Sequence, residues 1–322
     1  MKLSFSIFLL LLISCKNENQ VNDIEKIQNI TSPSIIILGT VQDAGSPHIG
    51  CKKDCCKDLF INPDSDSYRG RMVVSLGLVD PANKMNWLFE ATPDITRQMK
   101  MLKNYSKFSD SETPNGIFLT HAHIGHYAGL MYLGREAINT KNIPVYAMPR
   151  MKTFLEKNGP WSQLVSLKNI IINPLQHDSE NSLSSNIKVT PIIVPHRDEL
   201  SETVGYIIKG PQKKLLFIPD IDKWSKWKKS IIDEIKKVDY AFIDATFYDG
   251  KEIKGRDISE IPHPFVVESM EAFKNLPTTE KDKIYFIHFN HTNPLLNIES
   301  EQAKTVIKNG FHIAQIKTVI GL

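Results

Sequence analysis

The sequence predicts a mixed α/β domain over residues 34–322, in which two sheets pack face to face and helices cover both outer faces, an α/β/β/α arrangement. Three observations lead there. Apolar runs of strand length come in groups, stretches with helical spacing fall between the groups, and several of the strand-like runs end directly in a histidine or an aspartate. Strand-like runs cover 34–38, 71–79, 87–90, 116–120, 144–147, 187–194, 203–209, 214–218, 240–244, 283–289 and 312–319. Helical spacing is better at 94–103, 127–138, 150–157, 223–237, 265–274 and 299–308, while the turn-rich stretch 173–185 reads as a surface loop. The chain has 322 residues of which 41% are hydrophobic, enough for a sizeable core. A formal charge of +3 is too small at this length to argue for nucleic acid or an acidic membrane surface. The basic run 223–229 reads as a solvated face with Trp224 and Trp227 turned inward.

The first residues read differently from the rest. Lys2 precedes the apolar run 3–13, which has the short charged and hydrophobic regions of a secretion signal and is too short to span a bilayer. It ends in Leu12-Ile13-Ser14-Cys15, which resembles the lipobox of bacterial lipoproteins. That resemblance implies removal of residues 1–14, lipidation of Cys15, and attachment to a membrane of the bacterial cell envelope. The polar stretch 16–33 then reads as a flexible tether. An ordinary cleaved signal with an incidental cysteine is the alternative.

The chemistry concentrates in Thr120-His121-Ala122-His123-Ile124-Gly125-His126-Tyr127, where three histidines follow a strand-like run within six residues. On extended backbone, residues two apart point the same way, so His121 and His123 can grip one ion together. His126, at the start of a helix, can face the same point from another side. Imidazole suits zinc, iron or manganese, and such a cluster rarely arises for packing alone. Remote partners then stand at the ends of other apolar runs: His196, Asp220 and His288. Taken singly, Asp220 or Asp222 could cap the helix predicted at 223, His196 could bond within a loop, and His288 could be a satisfied core imidazole. Beside the histidine cluster they read better as the rest of a metal shell, because strand ends gather active-site residues into one cleft.

Cys51, Cys55 and Cys56 form a second cluster. Three cysteines cannot all pair, and a bridge between adjacent residues would be strained. A closed metal site with one further ligand, a histidine, is one reading; a single disulfide with a free thiol is the other.

Gly39-Thr40 after the first strand, the triple-histidine run, His196, Asp220 and His288 resemble, in that order, the metallo-β-lactamase superfamily, whose motif is H-x-H-x-D-H. Within it, 90–95, the cysteine cluster and 286–294 are similar to the family of the pyrroloquinoline quinone biosynthesis B protein and to the phosphonate-pathway cyclic phosphodiesterases. The resemblance implies one metal at His121, His123 and His196, with Asp220 bridging to a second at His126 and His288. The motif aspartate is replaced by Gly125, so the second site is expected to keep only His126, Asp220 and His288 and to be weak or empty. Restoring a carboxylate by Gly125→Asp is expected to fill it. The likeness to the phosphodiesterases further implies a structural zinc held by Cys51, Cys55, Cys56 and His291.

The metal expected is zinc, one catalytic ion with room for a second and one structural, with iron or manganese as alternatives at the catalytic site. Zinc brings a bound water's pKa to about 7. Asp220 would orient that water, His263 in Pro262-His263-Pro264 would protonate a leaving group, and Asp244 would hydrogen-bond a ligand histidine. Asp94 is expected to cap the helix beginning there. His48, His177 and His312 are expected to be surface or structural residues. The function expected is hydrolysis of a small-molecule phosphodiester or related ester. An oxidative role like that of the quinone-pathway protein, with iron, and a lipid-anchored metal binder without turnover are the rivals.

Overall fold

The structure, a computed structural model, describes residues 29–63, 65–253 and 257–322; the expected signal, Cys15 and most of the tether lie outside the described residues. Fourteen strands are described: β1 (Ser34–Gly39), β2 (Ser75–Asp80), β3 (Met85–Phe89), β4 (Ile117–Phe118), β5 (Ile143–Ala147), β6 (Ile170–Pro174), β7 (Asn181–Ser182), β8 (Lys188–Ile193), β9 (Val204–Lys209), β10 (Lys214–Ile218), β11 (Tyr240–Asp244), β12 (Ile284–Ile287), β13 (His312–Ile313) and β14 (Val319–Gly321). They form two seven-stranded sheets, ordered β14-β1-β2-β3-β4-β5-β6 and β13-β12-β11-β10-β9-β8-β7. Each sheet is antiparallel on one side and parallel on the other, the change falling at β3 in the first and β10 in the second.

Alternation along the strands builds the layers. Ile35 and Ile37, Phe89, Phe118, Tyr206, Phe217 and Phe242 point between the sheets and form the central core. Ile36, Leu38, Leu88 and Ile117 point the other way, against the helices Ile95–Tyr105 and Pro149–Lys157. On the far side Leu216, Ile218, Ala241 and Ile243 meet Ile231–Lys236, Val266–Ala272 and Glu301–Lys308. This is the four-layer sandwich that the sequence predicts. Removing one of the enclosed phenylalanine rings would cost about 3–5 kcal/mol. Tyr206 of β9 also donates its hydroxyl to the Leu119 carbonyl, fixing one sheet to the other just before the histidine cluster.

The differences from expectation have local causes. The run 312–319 is not one strand, because the chain leaves the second sheet after Ile313, turns through Lys317 at φ 69°, and joins the first sheet at Val319. The expected helix 127–138 is an α-turn, Ile124–Tyr127, followed by a 3₁₀ stretch, Ala128–Leu133. The expected helix 223–237 breaks into Trp224–Lys226 and Ile231–Lys236, the second capped by the Ser230 side chain accepting from Asp233 N–H. Within the expected surface loop 173–185, Asn181–Ser182 pairs with β8. The edge strand β6 and the helices Asp54–Ile61 and Trp161–Ser166 were not expected; all are short and partly exposed, so their patterning is weak. Asp94 does not cap its helix through the side chain; its carboxylate instead accepts from Val73 N–H at 2.8 Å.

Candidate metal centre

Both sheets deliver residues to one cleft. After β4 the chain bends at Ala122 and His123; His123 itself keeps extended dihedrals (φ −89°, ψ 144°) as the residue before the turn Ile124–Tyr127, and the His126 N–H donates to the His123 carbonyl. That geometry brings the rings of His123 and His126 to 4.4 and 4.2 Å from the ring of His121. The second sheet contributes His196 after β8, Asp220 after β10 and His288 after β12. His288 sits at φ 70° and the neighbouring Glu90 at φ 76°, left-handed conformations that non-glycine residues adopt rarely and often at functional sites.

Asp220 is the centre of the arrangement. Its carboxylate lies 3.3 Å from His121 Nε2, 3.9 Å from His123 Nδ1, 3.2 Å from His196 Nε2 and 3.7 Å from His126 Nε2. Four ligands around a tetrahedral ion with bonds of about 2.0–2.1 Å stand about 3.3 Å apart, so these separations suit a shared cation. The ligating atoms His121 Nε2, His123 Nδ1, His196 Nε2 and Asp220 Oδ1 are buried without a hydrogen-bond partner. Such orphaned atoms are costly unless something charged satisfies them. The opposite ring nitrogens are held: His121 Nδ1 by the Thr120 hydroxyl at 2.9 Å, His196 Nδ1 by Asp222 at 3.2 Å, and His288 Nδ1 by the Thr246 hydroxyl at 2.9 Å. Those contacts aim the free nitrogens inward. The donor set therefore fits a metal, and His121, His123, His196 and Asp220 form its first group.

The second group contains a residue that sequence reasoning missed. Asp43, on the loop after β1, joins His126, Asp220 and His288. Its Oδ1 lies 2.9 Å from His126 Nε2 and 3.2 Å from His288 Nε2. The expectation of a second set limited to His126, Asp220 and His288 is thus corrected. Gly125 does not leave a gap, since a Cβ built there would fall 2.4 Å from Asp43 Cα and 2.6 Å from its Cβ. Adding a carboxylate by Gly125→Asp would collide with Asp43 rather than complete the shell. An isolated aspartate in Gln42-Asp43-Ala44-Gly45 looks like an ordinary turn residue; its position just past the first strand was the one available signal.

Cys51, Cys55, Cys56 and His291 also come together. The sulfurs of Cys51 and Cys55 are 4.0 Å apart and those of Cys55 and Cys56 3.9 Å, with no disulfide among them. Tetrahedral zinc with bonds of about 2.3 Å spaces sulfurs about 3.8 Å apart. His48, expected to be a surface or structural residue, packs its ring against that of His291 at 4.5 Å, tilted by 30°, and donates its backbone N–H to Cys56 Sγ. His177 accepts from the Ile193 N–H, and His312 pairs with Asp282.

Residues 85–289 match the family described as the beta-lactamase superfamily domain. The chain belongs to the beta-lactamase superfamily. It is 25% identical over 313 residues to coenzyme PQQ synthesis protein B of Methylococcus capsulatus, with 87% of this chain and 97% of that protein covered. Among solved structures, zinc-bound PqqB from Methylobacterium extorquens aligns with a TM-score of 0.73 at 20% identity, over 90% of this chain and all of that one, 100%. A diphosphatase of the PhnP family aligns with a TM-score of 0.60 at 19% identity, covering 89% of this chain and 96% of its own. The two structural likenesses establish the metallo-β-lactamase fold.

Electrostatics in this superfamily member are set by carboxylates and imidazoles packed together out of water. Burial opposes the charge on Asp220, but the positive potential of His196, His263 and His288 outweighs it and holds the carboxyl well below its ordinary pKa. Burial likewise opposes the charge on Asp43, and His126 and His288 again win. His121 is pushed well below the ordinary imidazole value, by burial first and by its neighbour His126 second, so it is neutral and ready to ligate. His263 differs. Burial works against its proton, yet Asp244 at 2.8 Å and Asp220 at 3.1 Å raise it to about 10. Asp244, expected to bond a ligand histidine directly, instead contacts His263 and reaches His288 through the Thr246 hydroxyl, which donates to it at 2.7 Å. At 3.8 Å the direct path from Asp244 to His288 is too long for a hydrogen bond.

Proposed function

We propose that this chain is a metal-dependent hydrolase acting on a phosphodiester or a related ester of a small molecule. The observation that carries the reading is two adjacent ion-sized ligand groups that share Asp220, the first with orphaned buried nitrogens of His121, His123 and His196 turned toward it. His121, His123, His196 and Asp220 would hold one ion, and His126, Asp220 and His288 with their neighbours the other. Bound cations there supply Lewis acidity and an acidified water. The protein's own groups do the rest. His123 is the partly exposed ligand, with 18% of its side chain accessible, and marks the open side of the centre. His263, protonated between Asp244 and Asp220, is a proton store beside the reacting region and would supply a leaving oxygen. The fully buried Glu90 lies 3.5 Å behind His126 Nδ1 and balances its charge. The likeness to a PhnP-family diphosphatase supports the phosphoester class, and the cysteine cluster with His291 is read as a structural zinc site.

The near full-length likeness to coenzyme PQQ synthesis protein B favours a second reading, a role in the synthesis of a coenzyme, which we take as an oxidative one with iron in the centre. The test uses the purified chain loaded with zinc, manganese or ferrous iron, assayed on linear and cyclic phosphodiesters, lactones and thioesters, with oxygen uptake followed in parallel. Phosphodiester cleavage that disappears in His121→Ala is expected. Oxygen uptake without hydrolysis would replace the first reading by the second.

A further inference from the structure

We propose that Asp43 supplies to the second ligand group the carboxylate that position 125 lacks, so that Asp43 and Gly125 form one exchangeable unit. The inference rests on the metal-dependent reading of the centre and goes beyond it in assigning the ligand.

Three independent features of the chain lead there. The first is aim. A single oxygen of Asp43 stands between His126 Nε2 at 2.9 Å and His288 Nε2 at 3.2 Å, while Thr246 occupies the other face of His288. The second is support. The Gln42 N–H donates to the Phe289 carbonyl, the Phe289 N–H donates to the Thr40 carbonyl, and Val41 bridges both Val73 and Phe289. Asp43 is therefore mounted on backbone that ties the first sheet to the residue following His288, a rigid mount of the kind a ligand requires.

The third is space. Gly125 lies inside the turn Ile124–Tyr127 and carries no left-handed φ, so its backbone does not demand glycine. What excludes a side chain there is Asp43, whose Cα, Cβ and Cγ stand 2.4, 2.6 and 2.9 Å from the point a Cβ would occupy. One volume beside His126 can take a carboxylate from the helix or from the loop, and not from both. The two arrangements bring the same charge and the same donor atoms, which is why exchanging them conserves the shell.

The experiment uses the whole chain, stripped with a chelator and titrated with zinc and with divalent cobalt as a spectroscopic probe. Wild type is compared with Asp43→Asn, Gly125→Asp, the exchange Asp43→Gly/Gly125→Asp, and His121→Ala. Melting curves in chelator separate loss of a ligand from loss of fold. Wild type is expected to take up two ions beyond the one at the cysteine cluster. Asp43→Asn should bind one of them at least about 100-fold more weakly, since even indirect partners are worth about 10–100-fold. Gly125→Asp alone should lose affinity as well, through displacement of Asp43. The exchange removes the Cβ and Cγ of residue 43 but leaves its Cα 2.4 Å from the new side chain, so the loop must give way there, which glycine at 43 permits; the variant should then regain both ions. Undiminished binding in Asp43→Asn, tighter binding in Gly125→Asp, or a folded exchange variant that binds like Asp43→Asn would each overturn the proposal alone. Wild type that takes up a single ion at the centre does the same. Wild type that takes up none, with His121→Ala indistinguishable from it, overturns the metal-dependent reading as well.

Discussion

Replacing Thr246 by valine removes one hydroxyl and changes little else, since the two side chains have the same shape. In the structure that hydroxyl lies 2.9 Å from His288 Nδ1, donates to Asp244 at 2.7 Å, and touches His263 Nδ1 at 3.2 Å. A hydroxyl with one proton satisfies the first two if His288 Nδ1–H donates to it, so that an ion displacing the proton on His288 Nε2 would meet a lone pair there. Valine strands the His288 donor and frees the ring to turn. Two effects should follow. In chelator, the stranded buried donor costs about 1–3 kcal/mol of folding stability. The low end applies, because Asp244 keeps the Thr246 N–H at 2.9 Å and the Ile221 N–H at 3.1 Å. With metal, affinity for the ion contacting His288 should fall about 10–100-fold, or about 1.4–2.8 kcal/mol, as for other partners of metal-ligating histidines. Chelator competition monitored by cobalt absorption measures the second effect and urea melts measure the first. Thr246→Ser keeps the hydroxyl and should restore the affinity. If Thr246→Val binds both ions as tightly as wild type, the view that this hydroxyl orients His288 is wrong.

Three other outcomes are expected. Cys55→Ser should sharply lower thermal stability without abolishing metal binding by His121, and zinc uptake by the intact cluster near pH 7 should release about two to three protons. The reason is that burial first, with its neighbour Cys56 adding, pushes Cys55 up to about 12 and burial also raises Cys56, whereas for Cys51 burial is outweighed, chiefly by the Lys53 backbone N–H, and the thiol is lowered. Burial holds His291 down at about 4, so the protons to be displaced come from the thiols, Cys55 and Cys56 foremost, and not from the imidazole. Calorimetry in buffers of different ionisation enthalpy counts them, and a value near zero refutes the site. In the metal-free chain His263 and His288, at about 10 and about 9, lie above the unfolded imidazole value of about 6.5. Their stabilisation is complete below about pH 6.5 and is lost as pH rises toward 9 and 10, so chelated protein should melt lower at pH 9 than at pH 6, and a flat profile contradicts this. Finally, mass spectrometry of protein from a bacterial host that lipidates exported chains should find lipid on an N-terminal Cys15; an unmodified different first residue would count against the anchor.

The parts of the centre that sequence made legible are those held by local chemistry. His121, His123 and His126 announce themselves because extended backbone and one helical turn fix their relation within six residues. His196, Asp220 and His288 were readable because each ends a strand long and apolar enough to recognise. The cysteine cluster was visible as a pattern, but His291 entered only through resemblance, since nothing local connects it to Cys51. Asp43 was hidden for the same reason: 83 residues separate it from His126 and 245 from His288. Fold class survived errors at 127–138, 223–237 and 312–319 because alternation in the long central strands outweighs them. The role of Thr246 was also hidden, since a threonine after a strand carries no signal until its neighbours are known.

The distance along the chain between Asp43 and its partners bears on the order in which the protein is made. In a nascent or refolding chain His121 and His123 are near each other from the start, whereas joining Asp43 to His288 requires closing a loop of 245 residues. A flexible loop's closure cost rises only as the logarithm of its length, so the penalty is of order a few kcal/mol, yet it is met only once the two sheets have docked. An ion captured early would therefore sit on the local histidines with borrowed ligands, and the second position would become available as the last step of maturation. Refolding in the presence of metal should then be biphasic in ion uptake, with the slow phase following the docking of the sheets. A carboxylate at 125 would stand beside His126 from the beginning and wait only for Asp220 and His288; one at 43 adds a third remote segment that must be in place before the second position is complete.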